Sequence, residues 1–244
     1  MKKKIKKRIY ITIILLFGVL FVIKFAGSPI LRLYLESGIG SCKEIPIFCI
    51  IPNPEPVNQV IDQEYNLELV EYQLPQIQIN VPKEFKVIKQ NVTKMYYKKK
   101  KFKTKDPVMY LVYEPPGFFI GLFPHLKKQD INNDYEFISR IMSTKMNDVN
   151  NLIDAFFMVM KGIFIPDLGN QQNVDIVRFT GEKQKGFIGY NLNEEENYFN
   201  CDIITDEGYF KVYIKDSRKK LDLEKVLSII STIKKIDSNM GLVN

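Results

Sequence analysis

The chain holds one histidine, His125, in the run FPHLKK. A Ser/His/acid triad would have to use it, yet no GxSxG accompanies it, and the residue reads as a loop or surface histidine. Ser217-Arg218-Lys219-Lys220 has the S-x-x-K spacing of penicillin-recognising enzymes, but SDN and KTG partners are missing. Its place between a strand and the last helix suits Ser217 as an N-cap instead. Gly38-Ile39-Gly40 lacks the third glycine of a dinucleotide loop, and there is no P-loop. Glu194-Glu195-Glu196 reads as a solvated hairpin tip without the spaced oxygen ligands of a calcium loop. No catalytic, cofactor-binding or metal-ligating residue is therefore expected.

Three cysteines remain. Cys42 and Cys49, seven apart, suit a small disulfide-closed loop in an oxidising compartment, and the same spacing accommodates two unrelated thiols. It is not a zinc spacing, because no second ligand pair exists. Cys201 sits inside an alternating strand pattern and reads as core.

The elements that would position these groups begin with Ile9–Ile23, an uncharged apolar run continuing through Lys24-Phe25-Ala26. Eighteen residues at about 1.5 Å each reach roughly 27 Å, near the thickness of a bilayer core. Lys2, Lys3, Lys4, Lys6, Lys7 and Arg8 precede it and would hold that end in the cytoplasm. A cleaved signal peptide looks similar, but Pro29 follows the best small-residue pair, Ala26 and Ser28, and disfavours cleavage. The expectation is a signal anchor at 9–26, single-pass in the cell (inner) membrane, with a stalk at 27–75 and an extracytoplasmic domain at 76–238.

Those six residues belong to 35 basic ones, leaving 29 against 28 acidic in the rest of the chain. The basic pI thus reports topology, and a nucleic-acid partner is not expected. Tyr96–Lys105 (YYKKKKFKTK) reads as a hairpin turn kept soluble by lysines, with contact to anionic lipid headgroups or an acidic polymer as the alternative. Asn91-Val92-Thr93 is a glycosylation acceptor only in a eukaryotic secretory lumen.

Four prolines between Ser37 and Asn58 exclude regular helix or central strand there. Strands are expected at Ile77–Val81, Phe85–Ile88, Met95–Lys98, Val108–Tyr113 and Phe118–Phe123, the last two joined by a Pro115-Pro116-Gly117 turn. Helical periodicity follows over 133–161, with Asn133 and Glu136 as a capping box and a second helix from Val149 to Lys161. Val174–Thr180, Phe187–Asn191, Tyr198–Thr205 and Tyr209–Lys215, separated by short turns, predict an antiparallel meander. Leu221–Ile236 closes the chain as an amphipathic helix. The class is α+β, a mainly antiparallel sheet packed with helices behind an N-terminal transmembrane helix.

That element order over 76–236, with the entry INVPKEFKVI (Ile79–Ile88) and the ending YFKVYIKDSRKKLDLEKVLSIISTIKK (Tyr209–Lys235), resembles Mog1/PsbP-like α/β/α sandwich domains. The resemblance implies a non-enzymatic assembly or binding domain. The leading expectation is a non-catalytic interaction or assembly domain. The alternatives are a binding module for a lipid or other apolar ligand, motivated by 17 Phe and 13 Tyr, and an enzyme working through carboxylates.

Overall fold

The computed structural model describes residues 28–59, 61–74, 76–83, 85, 87–91, 94–97, 108–165, 174–192 and 195–236. In chain order these form helix α1 (28–39), a 3-10 turn at Pro46–Phe48, β1 (Val57–Asn58), α2 (Gln63–Leu67), β2 (Leu69–Gln73), β3 (Ile77–Pro82), β4 (Val87–Asn91), β5 (Lys94–Tyr97) and β6 (Val108–Glu114). Then come α3 (Phe118–Leu122), a 3-10 stretch at Pro124–Gln129, α4 (Asp134–Ser143), α5 (Leu152–Phe164), β7 (Val174–Thr180), β8 (Gln184–Leu192), β9 (Asn197–Thr205), β10 (Gly208–Asp216), α6 (Leu223–Ser231) and β11 (Lys234–Lys235).

The expected membrane-spanning helix is corrected. Among the described residues no helix is long and apolar enough to cross a membrane. The longest described helix, α5, has 13 residues and reaches about 20 Å, where a span needs roughly 20 residues. The segment 9–26 and the basic residues Lys2, Lys3, Lys4, Lys6, Lys7 and Arg8 lie outside the described residues. The fold therefore gives no basis for a transmembrane helix in the fold class, nor for a signal-anchored, single-pass inner-membrane protein with an extracytoplasmic domain. Lys98–Lys105 and the Val92-Thr93 pair also lie outside the described residues.

The class itself is α+β with mixed sheets. Eight strands run in the order β1-β7-β8-β9-β10-β6-β5-β4, and a smaller sheet has the order β11-β3-β2. The meander β7 to β10 pairs antiparallel throughout, from Val174 opposite Asn191 to Tyr209 opposite Ile204. The short β1 joins β7 in parallel. Period-two alternation sends Val177, Phe179, Ile188, Phe199, Cys201 and Ile203 to one face, where they pack with Ile79 and Val81 of β3 and Val226, Leu227, Ile229 and Ile230 of α6. Ile176, Phe187 and Tyr209 face the other way and meet α1, α3, α4 and α5.

The segment 28–59, read from the sequence as stalk, supplies Leu35, Ile47 and Phe48 to this second core. Its prolines permit a 3-10 turn, which is what Pro46–Phe48 forms.

Two local expectations change. Phe118–Phe123, expected as a strand, is helix α3. Gly117 enters it at φ 77°, and the buried Asp134 carboxylate accepts N–H bonds from Gly117, Phe119 and Ile120 at 2.8, 3.0 and 3.4 Å. A carboxylate at that end satisfies the orphan donors of a helix start, a contact supplied from 14 to 17 residues away. The closing helix starts at Leu223, with Asp222 rather than Ser217 as its cap, and ends at Ser231, where Thr232 turns the chain into β11. Asn133, by contrast, caps α4 as its sequence indicates, accepting from Glu136 N at 2.9 Å.

The second core is unusually aromatic. Phe137 is fully buried and stacks with Phe119 and Phe123 at 5.1 and 5.6 Å, while Phe157 and Phe164 approach at 5.8 and 6.1 Å. Removing this hub leaves a void between α3, α4 and α5. Phe137→Ala is expected to cost about 3–5 kcal/mol, read as a lower midpoint in urea denaturation; a loss under about 1 kcal/mol would place the weight of the core elsewhere.

Candidate functional site

Reactive and structural sites alike begin with buried ionisable groups. On β9 and β10, the fully buried Asp202 accepts from Tyr209 Oη at 2.5 Å and from Lys211 Nζ at 2.9 Å. Asn200 Nδ2 donates to Asp202 Oδ2 at 3.3 Å and to the Phe164 carbonyl at 2.9 Å, and Lys211 Nζ donates to the same carbonyl. Phe164 ends α5. An ammonium and an amide on its last carbonyl satisfy the negative end of that helix and fasten it to the sheet. Burial and the Asp202 charge push the Tyr209 hydroxyl well above its ordinary range, and burial pushes the Cys201 thiol up as well. Both stay protonated, so Cys201 is core and no nucleophile.

A second buried charge sits on α5 itself. Lys161 Nζ donates to the carbonyls of Ile50, Met142 and Thr144 at 2.6, 3.0 and 2.8 Å. Two of these belong to the C-terminal end of α4, and the third follows the Cys42–Cys49 loop. Cys42 and Cys49 are bonded there with Cα atoms 5.6 Å apart. Burial, and then the charge of Lys145, pull the Lys161 pKa down to about 7. Asp154, the other charge of α5, is also buried; it accepts from Arg140 Nη2 at 2.7 Å and from Asn151 Nδ2 at 2.9 Å.

Accessible chemistry lies elsewhere. A cleft of about 530 Å³ opens between α2, the end of β3 and the β10–α6 turn. Tyr65, Leu69, Phe85 and Leu221 contribute apolar surface; Lys83, Arg218, Lys219, Lys220 and Lys225 contribute positive charge, and Asp62, Glu64 and Glu68 negative charge. The basic turn has a built backbone. Buried Asp216 accepts from Arg218 N at 3.0 Å and from Lys220 N and Leu221 N at 2.8 Å each, closing a tight turn in which Lys219 adopts φ 55°. A non-glycine residue there is strained, and Asp216 holds it in place. Asp62 caps α2 by accepting from Tyr65 N at 2.9 Å. A second cleft of about 520 Å³ lies at the other end of β10, bounded by the start of α4 and the β7–β8 turn.

Of the residues singled out by sequence, His125 is exposed beside Phe123, with ring centroids 6.3 Å apart. Ser217 and Lys220 fall on the cleft turn, where Arg218, Lys219 and Lys220 line the cleft. Glu196 pairs with Lys215 at 2.7 Å. Among the described residues no group of three or more His, Cys, Asp or Glu is placed to hold a metal. Sequence reasoning missed Asp202, Lys161 and Asp216; the one available signal was a lysine inside the otherwise apolar AFFMVMKGIF.

No protein-family model matches the chain, and no curated protein does. Among solved structures it is similar to a protein of Bacteroides thetaiotaomicron VPI-5482, determined by crystallography at 1.50 Å resolution. The identity is 9% and the TM-score 0.30, over 70% of this chain and 49% of that one. This chain thus spans about half the length of that relative.

The Lys161 geometry has a pH signature. Its folded pKa of about 7 lies below the ordinary 10.5, so between those values the unfolded chain holds a proton that the folded one lacks. Stability from this group therefore rises with pH across that window and is lowest below 7. Lys161→Met strips three buried carbonyls of their donor and is expected to cost about 2–4 kcal/mol. The gap to wild type should widen from pH 7 to 10 in denaturation curves; a constant or shrinking gap would contradict the assignment.

Proposed function

We propose that the domain is a non-catalytic interaction module that receives a segment of a partner polypeptide in the cleft between α2, β3 and the β10–α6 turn. The observation that carries this reading is the composition of the cleft, which brings apolar, basic and acidic residues together. A polypeptide presents apolar and oppositely charged side chains within a few residues, and complementary charges fix its register and steer its approach. Its apolar side chains would rest on Tyr65, Leu69, Phe85 and Leu221, its carboxylates beside Arg218, Lys219 and Lys220, and its basic groups beside Glu64 and Glu68.

The buried polar groups support the same reading. Asp216 and Lys161 are occupied by backbone groups, Asp202 by the side chains of Asn200, Tyr209 and Lys211, and Asp154 by Arg140 and Asn151, all of it structural work. A second reading, a small apolar ligand with an anionic end, draws on the apolar and basic residues but leaves Glu64 and Glu68 without a role. The Mog1/PsbP-like resemblance implies binding or assembly in general and is compatible with either.

Photocrosslinking in cells producing the full chain tests the proposal. A benzoylphenylalanine probe in place of Lys83 or Glu64 is expected to give a discrete protein adduct. Reversing the basic turn (Arg218→Glu with Lys219→Glu) should abolish it, and the probe at exposed Lys128 should not give it. Adducts indifferent to the charge reversal, or shared with the Lys128 probe, would overturn the reading; a small-molecule adduct would replace it by the second one.

A further inference from the structure

Because Asp154 and Lys161 are both buried, the solvent face of α5 carries no charge. What it shows instead is Leu152, Val159 and Ile163, exposed by 78%, 38% and 62%, with Phe156 partly exposed among them. A surface helix ordinarily does the reverse, burying its apolar stripe and hydrating its charges. The steps between these four residues are four, three and four, the interval of a coiled-coil seam.

That interval reads the same in both directions. Two copies of the stripe, laid antiparallel about a twofold axis between Phe156 and Val159, bring Leu152 of each against Ile163 of the other. A patch with this property is self-complementary, which is the requirement of a twofold interface. No charged side chain on the stripe asks for a complementary partner or opposes a second copy.

The patch continues beyond α5. The Phe123 ring packs on Phe156 with centroids 5.2 Å apart, and its neighbour Leu122 is 56% exposed. The stripe and Leu122–Phe123 amount to an apolar area on the order of several hundred Å², which soluble monomers seldom leave open. That suits the apolar share, somewhat over half, of the roughly 800 Å² per partner that a stable interface buries.

We propose that the outer face of α5 is the centre of a twofold, antiparallel interface between two copies of this chain. The surface is separate from the cleft and does not depend on what the cleft binds. Covering it removes Leu152, Val159 and Ile163 from water and leaves the inward charges of α5 undisturbed.

Cysteine crosslinking of the full chain in cells tests both the partner and the orientation. The native background is quiet, since Cys42 and Cys49 are bonded and Cys201 is buried. The double variant Leu152→Cys/Ile163→Cys is expected to give a disulfide-linked species of twice the chain mass on non-reducing gels. Leu152→Cys alone, Ile163→Cys alone and Lys128→Cys should remain at monomer mass. Adding Val159→Lys to the double variant should abolish the crosslink while leaving the limited-proteolysis pattern of the folded chain unchanged. Monomer only from the double variant, equal crosslinking by Leu152→Cys alone, linkage only to a species of another mass, or indifference to Val159→Lys would each overturn the proposal.

Discussion

The orientation of α5 is set by where its two charges find partners. Lys161 meets three backbone carbonyls inside the protein, and Asp154 meets the half-exposed Arg140. An ammonium or carboxylate removed from water without such partners would cost several kcal/mol. Rotating α5 to bury its remaining apolar residues would break both sets, so the helix stays with its charges inward. Three pieces of chain are joined as a consequence: the loop after Cys49, the end of α4 and the body of α5.

The same logic holds at the sheet. Asp202, Lys211 and Asn200 sit where alternating strand residues meet the last turn of α5, and their polar atoms close its end. Beyond β10, Asp216 uses its carboxylate to fold the turn that sets out Arg218, Lys219 and Lys220. In each place a buried side chain organises backbone, and the accessible surface inherits its shape. The cleft and the apolar face of α5 are products of those internal constraints.

Legibility in the sequence followed the range of the interactions. The β7–β10 meander was readable because period-two alternation and short turns are local, and so was the cap of α4 by Asn133. The strand expected at Phe118–Phe123 was misread because the group that starts α3 is Asp134, well downstream of Gly117. The helix–strand switch after Ser231 depends on pairing of Lys234 with Gln78, far upstream. The apolar run at 9–26 was read as an anchor from composition alone, and nothing in the described fold is a membrane span. The cleft had no local signal at all, since its walls come from residues 62–85 and 216–225. Lysine 161 was visible as an anomaly in an apolar helix, but its three acceptors were not.

The central claim is that Lys161 is an internal fastener. It is tested most directly by following its Nζ resonance in protein labelled with ¹⁵N-lysine. The account predicts amine protons shielded from exchange and a titration midpoint near 7, well separated from the surface lysines. An Nζ that exchanges freely and titrates near the ordinary 10.5 would contradict it.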